Sequence, residues 1–108
     1  MNALYSIALS TALTVGLSVP AFAADDGEAL FKKNGCYMCH NDTNKNLGPA
    51  PKQIAAKYAG DDKAAAILEK KVRTGGSGSW GKLTMPATPK KVSDENIRDI
   101  VQWILLQK

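Results

Sequence analysis

Residues 36–40 read Cys-Tyr-Met-Cys-His. Two thiols three positions apart, followed at once by an imidazole, form the attachment pattern for a c-type haem. The spacing suits that chemistry. Two intervening residues let Cys36 and Cys39 leave one short turn and each add to a vinyl group, giving two thioethers. His40, next in line, then offers a ring nitrogen to the iron as proximal ligand. Three other chemistries use some of these residues. A thioredoxin-like redox pair needs a βαβ context, and no strand pattern surrounds this one. A structural zinc site takes four Cys or His ligands, whereas the chain holds two Cys and one His. A plain disulfide is compatible with an exported chain.

An iron held by His40 has a second axial position. With one histidine in the chain, a bis-histidine pair is excluded. Methionine is the remaining strong ligand, and there are three. Met1 belongs to the N-terminal leader described below. Met38 lies inside the attachment loop, on the proximal side. That leaves Met85, in Leu83-Thr84-Met85-Pro86, where Pro86 stiffens an extended stretch and has no N–H to satisfy. A thioether is neutral and soft, so it favours Fe(II) and raises the reduction potential. The competing role for Met85 is core filling, with the sixth position open or held by water.

These residues must be positioned by a short chain. Residues 1–23 read as a secretory signal peptide: Leu4 to Val19 carries no charge, Pro20 breaks the run, and Ala21-Phe22-Ala23 fits the small-x-small cleavage pattern. The n-region lacks the usual Lys or Arg, and the alternative is a retained membrane anchor, for which the apolar run is short. Cleavage after Ala23 leaves residues 24–108, one domain with a small core. Such a domain usually needs a staple, and a covalent haem is a large apolar one. All 14 Lys and Arg and all 10 Asp and Glu follow the leader, giving +4. The charges are interspersed, with no block that suggests nucleic acid. The balance fits either a mildly basic face for an acidic protein partner or ordinary solubility.

The elements are short helices separated by Gly and Pro. Asp26 to Lys33 is the first, acidic early and basic late, ended by Asn34-Gly35. Asn41 to Pro51 reads as a loop. Lys52 to Tyr58 is a short helix. Asp61 or Asp62 caps the next, which runs to about Arg73 with Ala64, Ile67, Leu68 and Val72 as its apolar stripe. Thr74 to Gly81 is too glycine-rich for a lasting helix. The final helix opens with Ser93 as N-cap and Asp94-Glu95 in the first turn. Val92 and Ile97 are placed for a hydrophobic staple, and Ile97, Ile100, Val101, Ile104 and Leu105 form its buried face. No alternating strand run is present, so the fold class is all-α.

Cys36-Tyr37-Met38-Cys39-His40, Leu47-Gly48-Pro49, Trp80-Gly81, Met85-Pro86 and the closing Val101-Gln102-Trp103-Ile104-Leu105 together resemble a class I cytochrome c. Within that family the chain is similar to the small bacterial cytochrome c-551 (cytochrome c8) group. The resemblance covers nearly all of residues 24–108. It implies three to four short helices around one covalent haem c and a monohaem, one-electron carrier in the periplasm, not an enzyme. It further implies a soluble monomer that meets other redox proteins: a donor such as a respiratory complex and an acceptor such as a nitrite reductase or terminal oxidase, with no nucleic acid. Stable docking as a subunit of a larger complex is the alternative. A peroxidase-like activity needs a distal acid–base group, normally histidine, and no second histidine exists.

The resemblance also implies roles. Pro49 offers its backbone carbonyl to the ring N–H of His40, or is a simple turn proline. Trp80 donates its indole N–H to a haem propionate, or packs in the core. Arg73 reaches a propionate, or is a solvated helix end. Members of the group often carry an Asn soon after the ligand methionine, bonded to its sulfur. The matching stretch here is Ala87-Thr88-Pro89, with Thr88 a weak substitute.

Overall fold

The C-terminal helix shows most directly how this sequence makes structure. In the computed structural model, which describes residues 12–17, 24–42 and 47–108, Ser93 adopts an extended backbone. Its side-chain oxygen accepts from the backbone N–H of Asn96 at 3.1 Å. That bond satisfies one of the donors orphaned at a helix start, and Asp94 and Glu95 lie against the positive end of the dipole. The helix, α4, runs Asp94–Leu105. Ile97, Ile100, Val101 and Ile104 are its buried face, and Val101 has no exposed surface at all. Val92 and Ile97 belong to the same buried cluster, as a staple requires.

Three further helices pack around α4. Ala24–Lys33 forms α1, Pro51–Lys57 forms α2 and Ala64–Thr74 forms α3. The all-α reading holds: among the described residues the only strand-like pairing is one isolated bridge between Gly76 and Met85. Helix α1 crosses α4 at Gly27, where a Cβ would run into the carbonyl of Asp99 and the Cβ of Trp103. This close approach lets Phe31, which is buried, stack against Trp103, with ring centroids 4.9 Å apart and planes tilted by 47°.

Helix boundaries differ from the sequence reading in small, explicable ways. Pro51 opens α2 rather than ending the preceding loop, because a proline at the first helical position loses no hydrogen bond. The Gln53 side chain accepts from the N–H of the N-cap residue, Ala50, at 2.9 Å, the back-bond of a capping box. Neither Asp61 nor Asp62 caps α3. Its N-cap is Lys63, and Asp61 instead accepts from the Lys63 N–H at 2.9 Å, tightening the turn before the helix. Ala64, Leu68 and Val72 are buried on α3, but Ile67 is 43% exposed. It lies about 100° round the helix from the centre of that stripe.

Residues 12–17, within the segment that reads as a leader, are exposed and without regular secondary structure. The expected cleavage motif at residues 21–23 lies outside the described residues. Among the described residues no helix is long and apolar enough to cross a membrane.

Candidate haem-binding site

The attachment loop is shaped by the way α1 stops. The Asn34 N–H and side-chain amide both donate to the Leu30 carbonyl, at 3.0 and 2.8 Å. Gly35 then turns left-handed at φ 74°. The chain re-enters a single 3-10 turn, Cys36–Met38, closed by Cys39 N–H and His40 N–H, which both donate to the Cys36 carbonyl at 3.2 and 2.9 Å. Cys36, Cys39 and His40 thus leave one compact turn and line one cavity. Both thiols are free, Cys36 half-buried and Cys39 exposed. Burial pushes the Cys36 thiol above its ordinary range, because desolvation disfavours the thiolate.

His40 is held by its other nitrogen. Nδ1 stands 2.8 Å from the Pro49 carbonyl oxygen. A carbonyl can only accept, so Nδ1 carries the hydrogen, and in the neutral ring Nε2 keeps its lone pair, the tautomer a metal ligand needs. Gly48 makes this contact sterically possible. A Cβ there would lie 2.8 Å from His40 Cε1 and 2.9 Å from Nδ1.

Met85 reaches the same cavity from the far half of the chain. Helix α3 ends at Gly75, whose φ of 67° favours glycine and whose missing Cβ leaves room for the Met85 carbonyl and the Pro86 backbone. The chain then makes a glycine-rich excursion and returns so that Gly76 and Met85 exchange two backbone hydrogen bonds, each 2.9 Å. Trp80 sits on that excursion. It lines the cavity and is 46% exposed, so it stands at the rim rather than in the core.

Arg73 does not join the site. Its guanidinium bonds Asp94 Oδ1 through Nε at 3.2 Å and Nη2 at 2.6 Å. The same group donates to the carbonyls of Pro89 at 3.1 Å and Val92 at 2.7 Å, with a longer contact to Thr88. It stitches the end of α3 to the segment after Met85, and it is not among the residues that line the cavity. The reason is helical phase: Arg73 lies roughly 140° from the centre of the Ala64–Leu68–Val72 stripe. Lys71 lies on the stripe's flank, is half-buried and lines the cavity. The sequence motifs do not single it out, although its phase, three residues after Leu68, is the signal that places it there. The Thr88 backbone N–H donates to the Val72 carbonyl at 3.1 Å, which ties the chain after Met85 to the end of α3.

The cavity measures about 470 Å³. Phe31, Ile54, Leu68, Val72 and Ile100 supply apolar wall. Two free thiols from one turn, an imidazole with its lone pair available and a thioether, all on one apolar cavity, fit a covalently attached haem. Residues 24–108 match the cytochrome c family.

The chain belongs to the cytochrome c family.

Its relatives include cytochrome c-551 of Pseudomonas aeruginosa, 44% identical over 85 residues, which covers 79% of this chain and 80% of that one. Cytochrome c-552 of Nitrosomonas europaea is 43% identical over 100 residues, covering 93% of this chain and 95% of the relative. The crystal structure of wild-type Nitrosomonas europaea cytochrome c552 superposes with a TM-score of 0.68 at 46% identity, over 75% of this chain and 99% of that one. The fold is therefore that of a small class I cytochrome c. Membership in this cytochrome c group carries with it one covalent haem c and electron carriage rather than catalysis.

Proposed function

We propose that this cytochrome c is a periplasmic one-electron carrier in which Cys36 and Cys39 attach the haem and His40 and Met85 are its axial ligands. The observation that carries the reading is the His40–Pro49 contact. At 2.8 Å it commits the imidazole to the tautomer with Nε2 free, and Met85 lines the same cavity.

When bound, the haem supplies an iron that exchanges a single electron. The chain's own residues set the conditions for that exchange. The Pro49 carbonyl fixes the ring of His40 and makes the imidazole a stronger donor. With the haem bound, the Met85 thioether would favour the reduced iron and would fill the coordination position that oxygen or peroxide would need. The apolar walls exclude water and lower the local dielectric. At the rim, the Trp80 indole N–H and the Lys71 ammonium are the donors suited to carboxylates of the propionate kind.

The leader at residues 1–23 would deliver the chain to the periplasm. There it would take electrons from a donor such as a respiratory complex and pass them to an acceptor such as a nitrite reductase or terminal oxidase. Absorbance spectra of the purified protein, oxidised and reduced, test the ligation. The oxidised form should show the weak far-red band of a thioether bound to ferric iron. A spectrum lacking that band would remove Met85 from the coordination.

A further inference from the structure

The hairpin that carries Met85 has little of its own to hold it in place. Gly75, Gly76, Gly78 and Gly81 all sit at positive φ, and glycine loses more conformational freedom on ordering than any other residue. Residues 77–84 are all exposed. Inside the excursion, one backbone bond, Gly78 N–H to the Gly81 carbonyl at 2.9 Å, closes the tip. Segments with exposed backbone and few buried contacts open most readily.

One side chain reaches this tip from another element. Lys57, the last residue of α2, donates from Nζ to the Ser79 carbonyl at 2.9 Å. The same ammonium stands 4.5 Å from the centroid of the Trp80 ring and 5.8 Å from that of Tyr58. Its root is firm, since Ile54 and Ala55 of α2 are buried. Ile54 and Tyr58 on one side and Ser79 and Trp80 on the other line the same cavity. The lysine therefore joins two walls at the cavity's rim.

We infer that Lys57 is a latch on the ligand-bearing hairpin, a positioning residue that acts through Ser79 and Trp80 to keep Met85 seated and solvent out. The inference rests on Met85 being an axial ligand. Any motion that lifts the tip away from α2 must first break a charged hydrogen bond and a cation–π contact. Both are exposed, so each contributes modestly, and together they shift the opening equilibrium by about tenfold. Arginine keeps the charge, a donor and the ability to lie over an indole. Leucine keeps only the apolar stem.

The test compares Lys57→Leu, Lys57→Arg and, as a charge control away from the hairpin, Lys33→Leu, each as the ferric haem-loaded protein. Two rates are read: amide hydrogen exchange in residues 76–85, and the limiting rate of imidazole binding at saturating imidazole, which reports the opening of the sixth position. Lys57→Leu should raise both by about tenfold while α4 amides stay protected. Lys57→Arg should return both to near the unmutated values, and Lys33→Leu should leave both unchanged. Unchanged hairpin exchange in Lys57→Leu, or an equal rise in Lys33→Leu, would overturn the latch. The far-red band of the unmutated protein separates the two claims. Its absence would overturn the ligation reading and the latch with it; its presence with unchanged exchange would overturn the latch alone.

Discussion

Gly76 and Met85 face each other across a reciprocal pair of backbone hydrogen bonds, each 2.9 Å, and these bonds are what bring a methionine on an exposed, glycine-rich segment to a defined place. The preceding residue, Gly75, makes the pairing possible. Its φ of 67° is unfavourable for any side chain, and its Cα faces the Met85 carbonyl with no room for a Cβ.

Gly75→Ala should therefore destabilise the domain by about 1–3 kcal/mol and weaken Met85 as a ligand. Thermal unfolding followed by circular dichroism reads the first effect, and the intensity of the far-red ferric band reads the second. A variant as stable as the unmutated protein, with the band intact, would mean the bridge does not position Met85.

Arg73 and Lys71 should separate structure from redox tuning. Arg73→Leu removes the bonds to Asp94 and to the carbonyls of Pro89 and Val92. Leaving the partly buried Val92 carbonyl without this donor should lower stability by about 1–2 kcal/mol, with little change in potential. Lys71→Leu should do the reverse. Removing a cation from the cavity wall favours the more positive ferric state, so the potential should fall while the melting temperature barely moves. Redox titration and thermal melts on both variants decide the assignment.

Much of this architecture was legible in the sequence because it is local. Ser93 as a cap and the Ile97–Ile104 stripe follow from helix chemistry alone. The attachment pentapeptide is contiguous, and a chain with one histidine leaves few ligand choices. What the sequence hid is either orientation or distance along the chain. Arg73 and Lys71 are two residues apart, yet helical phase turns one to the loop after Met85 and the other to the cavity. Ile67 reads as core by type and is exposed by the same phase. The space Gly48 leaves for the His40 ring, and the reach of Lys57 to Ser79, depend on residues brought together only by folding. No periodicity marks them.

Cys36→Ala combined with Cys39→Ala should abolish covalent haem and leave the chain largely unfolded. The cavity the haem would fill borders Phe31, Leu68, Val72 and Ile100, so an unattached chain would expose much of its small core. Haem staining of a denaturing gel and far-ultraviolet circular dichroism check this after export. A double variant that stays folded and free of haem would show that the helices need no staple.

Redox titration of Met85→Ala, with spectra recorded at each potential, decides whether His40 and Met85 hold one iron between them. Haem should stay attached through Cys36 and Cys39. The potential should fall because the soft ligand that favours Fe(II) is gone, and imidazole or cyanide should bind the ferric protein without a slow opening step. A potential and ligand-binding rate equal to those of the unmutated protein would contradict this shared ligation, and would leave Met85 as a packing residue on the cavity wall.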